Sequence, residues 1–442
     1  MNPNKFIRYE ATERPDGKEL SPFLVRMANI DSLYDQIDII PPDKLHPLVM
    51  EIMNNSVRHT FLPTEMANPD KTESILAFIA DDEQGRKLFT LYCVAFGQES
   101  NKRNSNEEKV YIGIDYEFNN RRIALMQICF ERGQKLNNHM WILNPDEFSE
   151  KDNEIMLTHL MRNKSIFKIL HGADSLDIPY MFEFMFKNDY NTIRSFISRT
   201  IDTRFLCEFV MAAQGKERKC NIYDTLLQFR TITEEQHNRL NKIHEGMGPV
   251  QDINWNIHTM SSYHIKYAFY DVLFLRKMML DIYNRIKTEI PDHHLFVPLF
   301  IRLYQFIILE RRGTTTILDD AKKEVDTINN YLFKHDGRNV TLMTVYQQVM
   351  TYLSVPEIGL FMDTLMMISY FRTHLSILVK RIVYSILLDR KYIMENKTTH
   401  YSKKIPFSEF INKLKEAHFK GMVTICMELY KIINKRIIKL YG

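Results

Sequence analysis

The sequence predicts an α/β protein whose C-terminal region is all-helical. Between residues 110 and 285, segments in which apolar residues alternate with period two are interspersed with segments of helical spacing. Beyond Pro291, long apolar stretches continue at helical spacing with few breakers. Residues 1–108 predict a mostly helical extension that ends in the polar stretch Gly97 to Lys109. We therefore expect three domains, at 1–108, 109–285 and 286–442.

Residues 109–285 predict a sheet flanked by helices. The predicted strands are at 110–118, 123–131, 140–144, 166–171 and 200–205, and the predicted helices include 150–163 and a last one from Ser261 through Tyr283. Strands mixed with helices along one stretch of chain favour a layered α/β domain with one core.

The first of these strands carries two carboxylates, in the sequence YIGIDYEF. Its apolar residues alternate with the other residues at period two, so Asp115 and Glu117 share one face. Gly113 precedes them on that face and would leave room for an ion or a nucleotide. A buried strand that carries two carboxylates needs partners for them. The alternative interpretation is a solvated edge strand.

The last predicted helix carries a tyrosine and an aspartate four residues apart. Ser261 and Ser262 are candidate caps, and the stretch that follows to Tyr283 contains neither Gly nor Pro. Tyr267 and Asp271 therefore share one helical face, a turn from each other, where Asp271 can hold a metal and Tyr267 can orient a water. The alternative is that Tyr267 packs in the core and Asp271 lies on the helix rim.

A further aspartate, Asp177, lies in KILHGADSLDIPYM, after an apolar strand. Unpaired carboxylates repel one another, so a fold that gathers several of them usually does so around divalent metal ions. The chain has four such acids, Asp115, Glu117, Asp177 and Asp271. Together they indicate phosphoryl-transfer chemistry. In the same motif we interpret Lys168 and His171 as structural, because a histidine after an apolar strand is usually a hydrogen-bonding residue. Trp255 can stack on a base or pack in the interior.

In this order the motifs resemble the DEDDy branch of the DEDD 3′-5′ exonuclease superfamily, specifically ribonuclease D and its nuclear-exosome relatives. The matching segments are Asp115 to Phe118, Leu125 to Ile128, Lys168 to Ala173, Asp177 to Met181, the pair Asp202-Thr203, Trp255 twelve residues before Tyr267, and Tyr267 to Asp271. One such match is weak, but several in the right order are a strong signal. The resemblance implies a ribonuclease H-like mixed sheet flanked by helices.

The resemblance also implies the chemistry. Two Mg²⁺ or Mn²⁺ ions would be bound by the four acids; one would lower the pKa of a water, and the other would stabilise the leaving 3′-oxyanion. Tyr267 would orient that water, because an ordinary tyrosine pKa of about 10 makes it a poor base at neutral pH. Five residues separate His171 from Asp177 where the family usually has four, so Asp174 is a rival to Asp177 as the metal ligand.

We therefore expect a metal-dependent 3′-5′ exonuclease that acts on single-stranded 3′ ends, with RNA preferred to DNA on the resemblance alone. A 3′-5′ DNA exonuclease is the nearest alternative. A second alternative is a catalytically silent nuclease fold that serves as an RNA-binding scaffold. Silent relatives generally lack one or more of the acids, whereas all four and the tyrosine are present here.

Charge is distributed unevenly along the chain. From Arg372 to the end there are 15 Lys and Arg residues against 5 Asp and Glu, a surplus of ten, while the whole chain has a net charge of +3. The first 371 residues therefore carry about seven net negative charges. A basic helical region interleaved with aromatic residues, here Tyr384, Tyr392, Tyr401 and Phe407, is typical of contacts to a nucleic-acid backbone. The alternative is a solvated basic surface.

Cysteine usage and the absence of long apolar runs predict an intracellular protein in a reducing compartment. The five cysteines are never closer than thirteen residues, which predicts neither a disulfide framework nor a zinc knuckle. The first twenty residues lack an apolar signal segment, and no apolar run approaches the length of a membrane span. We expect no membrane association.

Overall fold

The computed structural model describes residues 30–55, 74–106, 108–132, 137–174, 176–217, 219–290, 293–310, 342–353, 369–390, 407–416 and 420–442. The chain divides into two compact units. The first consists of Met1–Cys207 and Lys219–Arg285, and the second consists of Glu208–Arg218 and Ile286–Gly442. The predicted division into three domains, at 1–108, 109–285 and 286–442, stays a prediction.

Six strands of the first unit form one mixed sheet: β1 (Ser74–Ile79), β2 (Val110–Asn119), β3 (Arg122–Arg132), β4 (Asn137–Leu143), β5 (Ile166–Leu170) and β6 (Thr200–Asp202). Their order is β1-β4-β3-β2-β5-β6. Strand β3 is antiparallel to β2 and β4, whereas β1 pairs with β4, and β5 pairs with β2 and β6, in the parallel sense. The α/β class and the mixed sheet flanked by helices are confirmed.

Among the described residues, the α-helices up to residue 289 are α1 (Ile30–Asp35), α2 (Pro42–Asn55), α3 (Glu83–Ser105), α4 (Glu150–Met156), α5 (Asp177–Tyr180), α6 (Tyr190–Ile197), α7 (Thr203–Ala213), α8 (Ile222–Gln228), α9 (Glu234–Met247), α10 (Ser262–Leu273) and α11 (Leu275–Glu289). Single π-helical turns follow α4 and α5, at Leu157–Met161 and Met181–Met185. Helix α10 begins where the sequence predicts, because the Ser261 side chain accepts the backbone N–H of His264.

The residues before 109 contribute a strand as well as helices. Strand β1 lies at the edge of the sheet beside β4, a position that the sequence reasoning did not predict. Helix α3 packs on the sheet through aromatic rings that are fully buried. Phe89 meets Trp141 with 5.2 Å between ring centroids, and Tyr92 meets Phe130 edge-on at 4.8 Å. Such edge-to-face contacts add to the free energy gained by burying the rings.

Strands β2 and β3 form a tight hairpin that positions the predicted acids of β2, Asp115 and Glu117. The two turn residues, Asn120 and Arg121, have φ values of 46° and 66°, as a two-residue turn between twisted antiparallel strands requires. The register shifts between Glu117 and Phe118, which face Leu125 and Ile123 respectively. A β-bulge at this point bends the hairpin next to the acidic residues.

The described elements of the second unit after residue 290 are all helices: α12 (His293–Glu310), α13 (Leu342–Leu353), α14 (Ser369–Asp389), α15 (Phe407–Glu416) and α16 (Lys420–Tyr441). Helix α16 buries Cys426, Leu429, Ile433 and Ile437, which recur at helical spacing. Tyr430 of α16 stacks on Phe407 of α15 at 4.5 Å. Tyr392 and Tyr401 of the predicted basic region lie outside the described residues.

One expectation about the cysteines is wrong. Cys207 and Cys220 are joined by a disulfide, with their Cα atoms 6.0 Å apart. Cys220 is only 5% exposed. Sequence spacing did not reveal the pair, because a separation of thirteen residues along the chain does not determine whether two cysteines meet. The other three cysteines are free and buried.

Within the residues that the structure describes, every helix is too short or too polar to cross a membrane.

Candidate metal centre

Three of the four predicted acids converge on one point. Asp115 and Glu117 lie on β2, and Asp271 lies on α10; each offers a carboxylate oxygen, and these oxygens all lie within 4.8 Å of one another. Glu117 and Asp271 are each 6% exposed, and Asp115 is half-buried. The period-two prediction for β2 is therefore correct about which side chains share a face.

Gly113 makes this convergence possible, although not in the predicted way. A Cβ atom at Gly113 would lie 3.0 Å from the carbonyl oxygen of Val272 and 3.1 Å from Cδ1 of Leu275. The absent side chain therefore leaves room for the end of helix α10 and the start of α11, and not for an ion or a nucleotide. This close approach brings Asp271 against the acids of β2.

Asp177 lies close to the three converging acids. Burial is the main cause of the raised pKa of Glu117, and the charge of Asp177 adds to it; burial and then the charge of Asp115 raise the pKa of Asp177. Tyr116 donates a hydrogen bond to Sδ of Met181 at 3.0 Å, which ties the turn after Asp177 to strand β2.

Asp202 at the end of β6 holds the loop that leads to Asp177. Its carboxylate accepts the backbone N–H groups of Gly172 at 2.9 Å and Ala173 at 3.0 Å. Gly172 has φ of +74°, and this left-handed conformation allows the turn directly after β5. The strand predicted over 200–205 ends at Asp202, where α7 begins.

The rival ligand, Asp174, is buried and its charge acts on Asp177. The charges that raise the pKa of Glu117 belong to Asp115, Asp271 and Asp177. Asp177 thus acts on Glu117, and the choice between Asp174 and Asp177 as the metal ligand stays a prediction.

Without a cation, ionisation of the carboxylates in this cluster is unfavourable. Burial raises the pKa of Asp115 to about 7. Burial and the neighbouring charge of Asp115 raise the pKa values of Glu117 and Asp271 well above their usual range. Oδ1 of Asp271 is buried and accepts no hydrogen bond from the described residues. An all-oxygen donor set with an unpaired buried oxygen fits a hard divalent cation such as Mg²⁺ or Mn²⁺.

Tyr267 lies beside Asp271, as the helical spacing predicts. Its ring stacks on Trp255 with 6.1 Å between centroids and 27° between planes. The charge of Asp271 raises the pKa of the Tyr267 phenol above its usual range, and burial adds to the rise. The phenol of the metal-free protein is therefore a hydrogen-bond donor at neutral pH.

Trp255 packs and is not available to stack on a base. It is 3% exposed, and its backbone N–H donates to Oδ1 of Asn119 at 2.9 Å. Nδ2 of Asn119 donates to the carbonyl of Trp255 at 2.6 Å. Trp255 thus braces Tyr267 and joins its loop to the β2–β3 hairpin.

Lys168 and His171 have the structural roles that the sequence reasoning assigned to them. Nζ of Lys168 is buried and donates to the carbonyl of Asn163 at 2.7 Å. The His171 ring lies 2.9 Å from Oγ1 of Thr203 through Nδ1 and 3.0 Å from the carbonyl oxygen of Cys220 through Nε2. Burial lowers the pKa of His171 to about 4, so this ring is neutral.

Two polar residues of the centre were not assigned roles from the sequence. Gln127, fully buried on β3, donates from Nε2 to Oε1 of Glu117 at 3.3 Å. Tyr223, on the first turn of α8, lies beside Asp271, whose charge raises its pKa after the effect of burial. Gln127 could have been found from its place opposite Asp115 in the hairpin register. Tyr223 is one of 22 tyrosines, and the residues around it in the sequence do not indicate that it lies near the acids.

A row of aromatic side chains leads away from the acids. Phe118, directly after Glu117, lies 5.5 Å from Tyr180 of α5, which stacks on Phe184 at 6.0 Å with 7° between the planes. Phe184 is 42% exposed. We call these three residues the aromatic row.

Three solved structures show similarity to this chain at 13% identity. RNase D of Trypanosoma brucei in its GMP complex matches over 54% of this chain and 65% of its own, with a TM-score of 0.34. NrnC of Brucella melitensis with bound Mg²⁺ matches over 53% and 93%, with a TM-score of 0.31. The EXO domain of Nibbler from Aedes aegypti matches over 51% and 95%, with a TM-score of 0.32. The chain thus spans just under two thirds of the RNase D chain, and TM-scores this low support no functional conclusion.

A comparison of sequences gives a stronger match than these comparisons of structures. No family model matches the chain. The chain is 31% identical over 377 residues to the uncharacterized protein L533 of Acanthamoeba polyphaga mimivirus, and this alignment covers 82% of the chain and 73% of the viral protein. This chain therefore belongs to the same protein family as L533 of Acanthamoeba polyphaga mimivirus.

Proposed function

We propose that this protein is a metal-dependent 3′-5′ exonuclease that removes nucleotides from single-stranded 3′ ends, with RNA as the preferred substrate. The observation that carries the proposal is the convergence of Asp115, Glu117 and Asp271 within 4.8 Å in a buried setting. Buried, unpaired carboxylates are costly for a fold and are found mainly where a site requires them. The preference for RNA over DNA rests on the motif resemblance alone.

The proposed reaction is hydrolysis of the terminal phosphodiester. A bond forms between the oxygen of a water and phosphorus, and the bond between phosphorus and the 3′-oxygen of the preceding nucleotide breaks. One proton of the water passes to solvent, and the leaving 3′-oxygen takes up one proton. The products are a nucleoside 5′-monophosphate and a strand that is one nucleotide shorter and ends in a 3′-hydroxyl.

Asp115, Glu117, Asp177 and Asp271 would bind two Mg²⁺ or Mn²⁺ ions. When bound, such ions activate a water and stabilise negative charge on the leaving oxygen. The role of the protein is to position these carboxylates. Strand β2 fixes Asp115 and Glu117 on one face, helix α10 supplies Asp271, and the Asp202-held loop supplies Asp177.

Tyr267 would orient the attacking water as a hydrogen-bond donor or acceptor. Its ring is clamped against Trp255, and its raised pKa makes the phenol a poor proton acceptor before metal binding. We therefore propose a positioning role for its hydroxyl, and not general-base action.

Two surfaces support a single-stranded nucleic-acid substrate. In the first unit, the aromatic row begins beside Glu117 and can stack on unpaired bases, which all present a π-face. In the second unit, Lys431, Lys435 and Lys439 are exposed on one side of α16 and can contact phosphates. Arg381, also in the basic region, is buried and bonds Ser385, so it does not belong to this surface.

The test uses the full chain and 5′-labelled 20-nucleotide RNA and DNA strands of the same sequence, with Mg²⁺ or Mn²⁺. We expect a ladder that shortens from the 3′ end, and no shortening of a strand blocked by a 3′-phosphate. Asp115→Asn should abolish the ladder, and Tyr267→Phe should slow it, whereas Asp252→Asn, at an exposed position, should match the wild type.

Three outcomes would contradict parts of this proposal. No shortening by wild-type protein that binds the RNA strand would indicate the silent scaffold. Faster digestion of DNA than of RNA would indicate a DNA exonuclease. Equal shortening by Asp115→Asn and wild type would show that the acidic cluster is not the catalytic site.

A further inference from the structure

The β2–β3 hairpin carries two arginines at its tip, Arg121 and Arg122. The two turn residues, Asn120 and Arg121, both have positive φ, 46° and 66°. A two-residue turn of this kind favours asparagine followed by glycine, because glycine has no Cβ atom to clash in the left-handed region. Asn120 follows this preference, and Arg121 does not. The chain therefore keeps an arginine side chain where the backbone conformation disfavours it, which is a reason to look for its role.

Both arginines lack a protein partner within the part of the chain that the structure describes. Their side chains are exposed and make neither an ion pair nor a hydrogen bond with a described residue. Other arginines of the first unit behave differently: Arg86, Arg103 and Arg276 each pair with a glutamate, at 2.7, 2.8 and 2.8 Å. Cations that no nearby carboxylate neutralises attract anions from solution. The hairpin tip is therefore a candidate anion-binding surface.

This tip lies at the same end of β2 as the acidic cluster. Arg121 is four residues from Glu117, so their Cα atoms are at most about 14 Å apart. Asn119 fastens the tip to the loop before α10: its Nδ2 donates to the carbonyl of Trp255 at 2.6 Å, and its Oδ1 accepts the N–H of Trp255 at 2.9 Å. Trp255 in turn stacks on Tyr267. The tip is thus held in a fixed position next to the cluster.

The chemistry of the tip fits phosphate. A guanidinium group donates two parallel hydrogen bonds to the oxygens of one phosphate, and it stays charged at any physiological pH. A single-stranded nucleic acid carries one phosphate per nucleotide, so successive phosphates of one strand can lie at the acidic cluster and at the hairpin tip. Contacts of this kind hold the backbone of the strand and do not depend on its base sequence.

We propose that Arg121 and Arg122 bind phosphates of the substrate strand on the 5′ side of the bond that is hydrolysed. The inference rests on the proposed function and adds to it a surface that holds the strand outside the acidic cluster. Both arginines then act mainly on binding, whereas the acids act on the chemical step. A dinucleotide, which has no phosphate beyond the bond that is hydrolysed, gains less from this surface than a long strand does.

The test compares wild type with Arg121→Gly and with Arg122→Gln. Glycine suits the left-handed turn position, so Arg121→Gly should unfold at no lower temperature than wild type. We expect each variant to raise the Kd for a labelled 20-nucleotide RNA by roughly 10-fold, measured by fluorescence anisotropy in Ca²⁺. Each should also make the slope of log affinity against log salt less negative by about 0.7. The ratio of kcat/KM for the 20-nucleotide strand to kcat/KM for a dinucleotide should fall in both variants.

Arg230→Gly is the matched control. Arg230 follows helix α8, is exposed like Arg121, and also has a left-handed φ, of 57°. Its replacement removes the same charge and relieves the same backbone strain at another place in the first unit. This variant should bind and digest RNA as wild type does.

Wild-type Kd, salt slope and substrate ratio in Arg121→Gly and Arg122→Gln would overturn the inference and leave the proposed function intact. Equal changes in Arg230→Gly would also overturn it, because they would reflect only the net charge of the protein. Absence of RNA binding and digestion in the wild type would overturn the proposed function itself. If Arg121→Gly unfolds at a lower temperature than wild type, Arg121→Asn replaces it with the same expectations, since asparagine also accepts positive φ.

Discussion

Asp271 on helix α10 and Asp115 on strand β2 present carboxylate oxygens within 4.8 Å of each other, although the helix and the strand lie far apart in the sequence. Like charges at this distance in a buried setting disfavour ionisation of both. Burial raises the pKa of both aspartates, and the charge of Asp115 raises the pKa of Asp271 further. The convergence of these carboxylates therefore lowers the stability of the metal-free protein, as expected for the proposed cation site.

Asp115→Asn should abolish activity and stabilise the metal-free protein. Removal of one carboxylate relieves repulsion on Glu117 and Asp271, so we expect the free energy of unfolding in EDTA at pH 7.5 to rise by about 1 kcal/mol. Activity should fall by about 10³-fold or more. Urea unfolding and the RNA ladder assay measure the two effects. The exposed control Asp252→Asn should change neither, and a destabilised Asp115→Asn protein would contradict the account of the cluster.

Stability and metal affinity should depend on pH in opposite senses. The folded pKa of Asp115 is about 7, against an ordinary value of 3.8, so between these values the folded protein binds more protons than the unfolded chain. The stability of the metal-free protein should therefore fall as pH rises from about 4 through about 7. Mn²⁺ must displace these protons, so its affinity should rise over the same window.

Thermal unfolding in EDTA at several pH values measures the first effect. Calorimetry of Mn²⁺ binding in two buffers of different ionisation enthalpy measures the released protons. Asp115→Asn should weaken both pH dependences. Metal binding without proton release at pH 6 would show that the carboxylates are already ionised.

The disulfide predicts a specific thiol count. The chain has five cysteines, and pairing of Cys207 with Cys220 leaves three free. After purification without reductant, denaturation and alkylation, mass spectrometry should show three labelled thiols, and five after reduction. Cys220→Ser should lower the free energy of unfolding by about 3 kcal/mol, as expected for a loop of this size. Five labelled thiols without reductant would contradict the pairing and agree with the predicted reducing compartment.

Local patterns were sufficient to predict which side chains share a face. Period two put Asp115 and Glu117 together on β2, and a spacing of four put Tyr267 beside Asp271 on α10. The expectation that β2, α10 and the loop carrying Asp177 meet came from the motif resemblance, because periodicity contains no information about which elements are neighbours.

Features that depend on long-range packing were missed or misread. Gly113 was expected to leave room for a ligand, but the end of α10 fills that room. Tyr223 reaches the centre from α8, and Cys207 meets Cys220 across a loop. Strand β1 gains its place from pairing with β4. Each depends on contacts between distant segments, so the sequence nearby carries no sign of them.

The aromatic row predicts a defect in substrate binding. Phe184→Ala removes the exposed end of the row, and a stacked base contributes about 1–3 kcal/mol, so KM for single-stranded RNA should rise by roughly 5- to 150-fold. We expect kcat to stay within about 2-fold, because Phe184 does not contact the acids. Tyr263→Ala, which removes another exposed aromatic side chain, is the control and should behave as wild type. A fall in kcat at unchanged KM would contradict this role.

The exposed lysines of α16 predict a change in salt dependence. Lys431, Lys435 and Lys439 lie four residues apart along one helix, and Lys431 also pairs with Glu428 at 2.7 Å. Each phosphate contact on a single strand releases counterions and contributes a slope of about −0.7 to the plot of log affinity against log salt. Replacement of all three by glutamine should therefore make this slope less negative by about 2, measured by fluorescence anisotropy of a labelled RNA in Ca²⁺ or EDTA.

The matched control for these lysines is the triple variant of Lys44, Lys102 and Lys287, which are exposed lysines elsewhere in the chain. It changes the net charge by the same amount, so a general electrostatic effect would alter both variants equally. A slope that changes only in the α16 variant identifies direct phosphate contacts. Equal slopes in the two variants would mean that α16 is a solvated surface and that the aromatic row and the acidic cluster bind the strand without it.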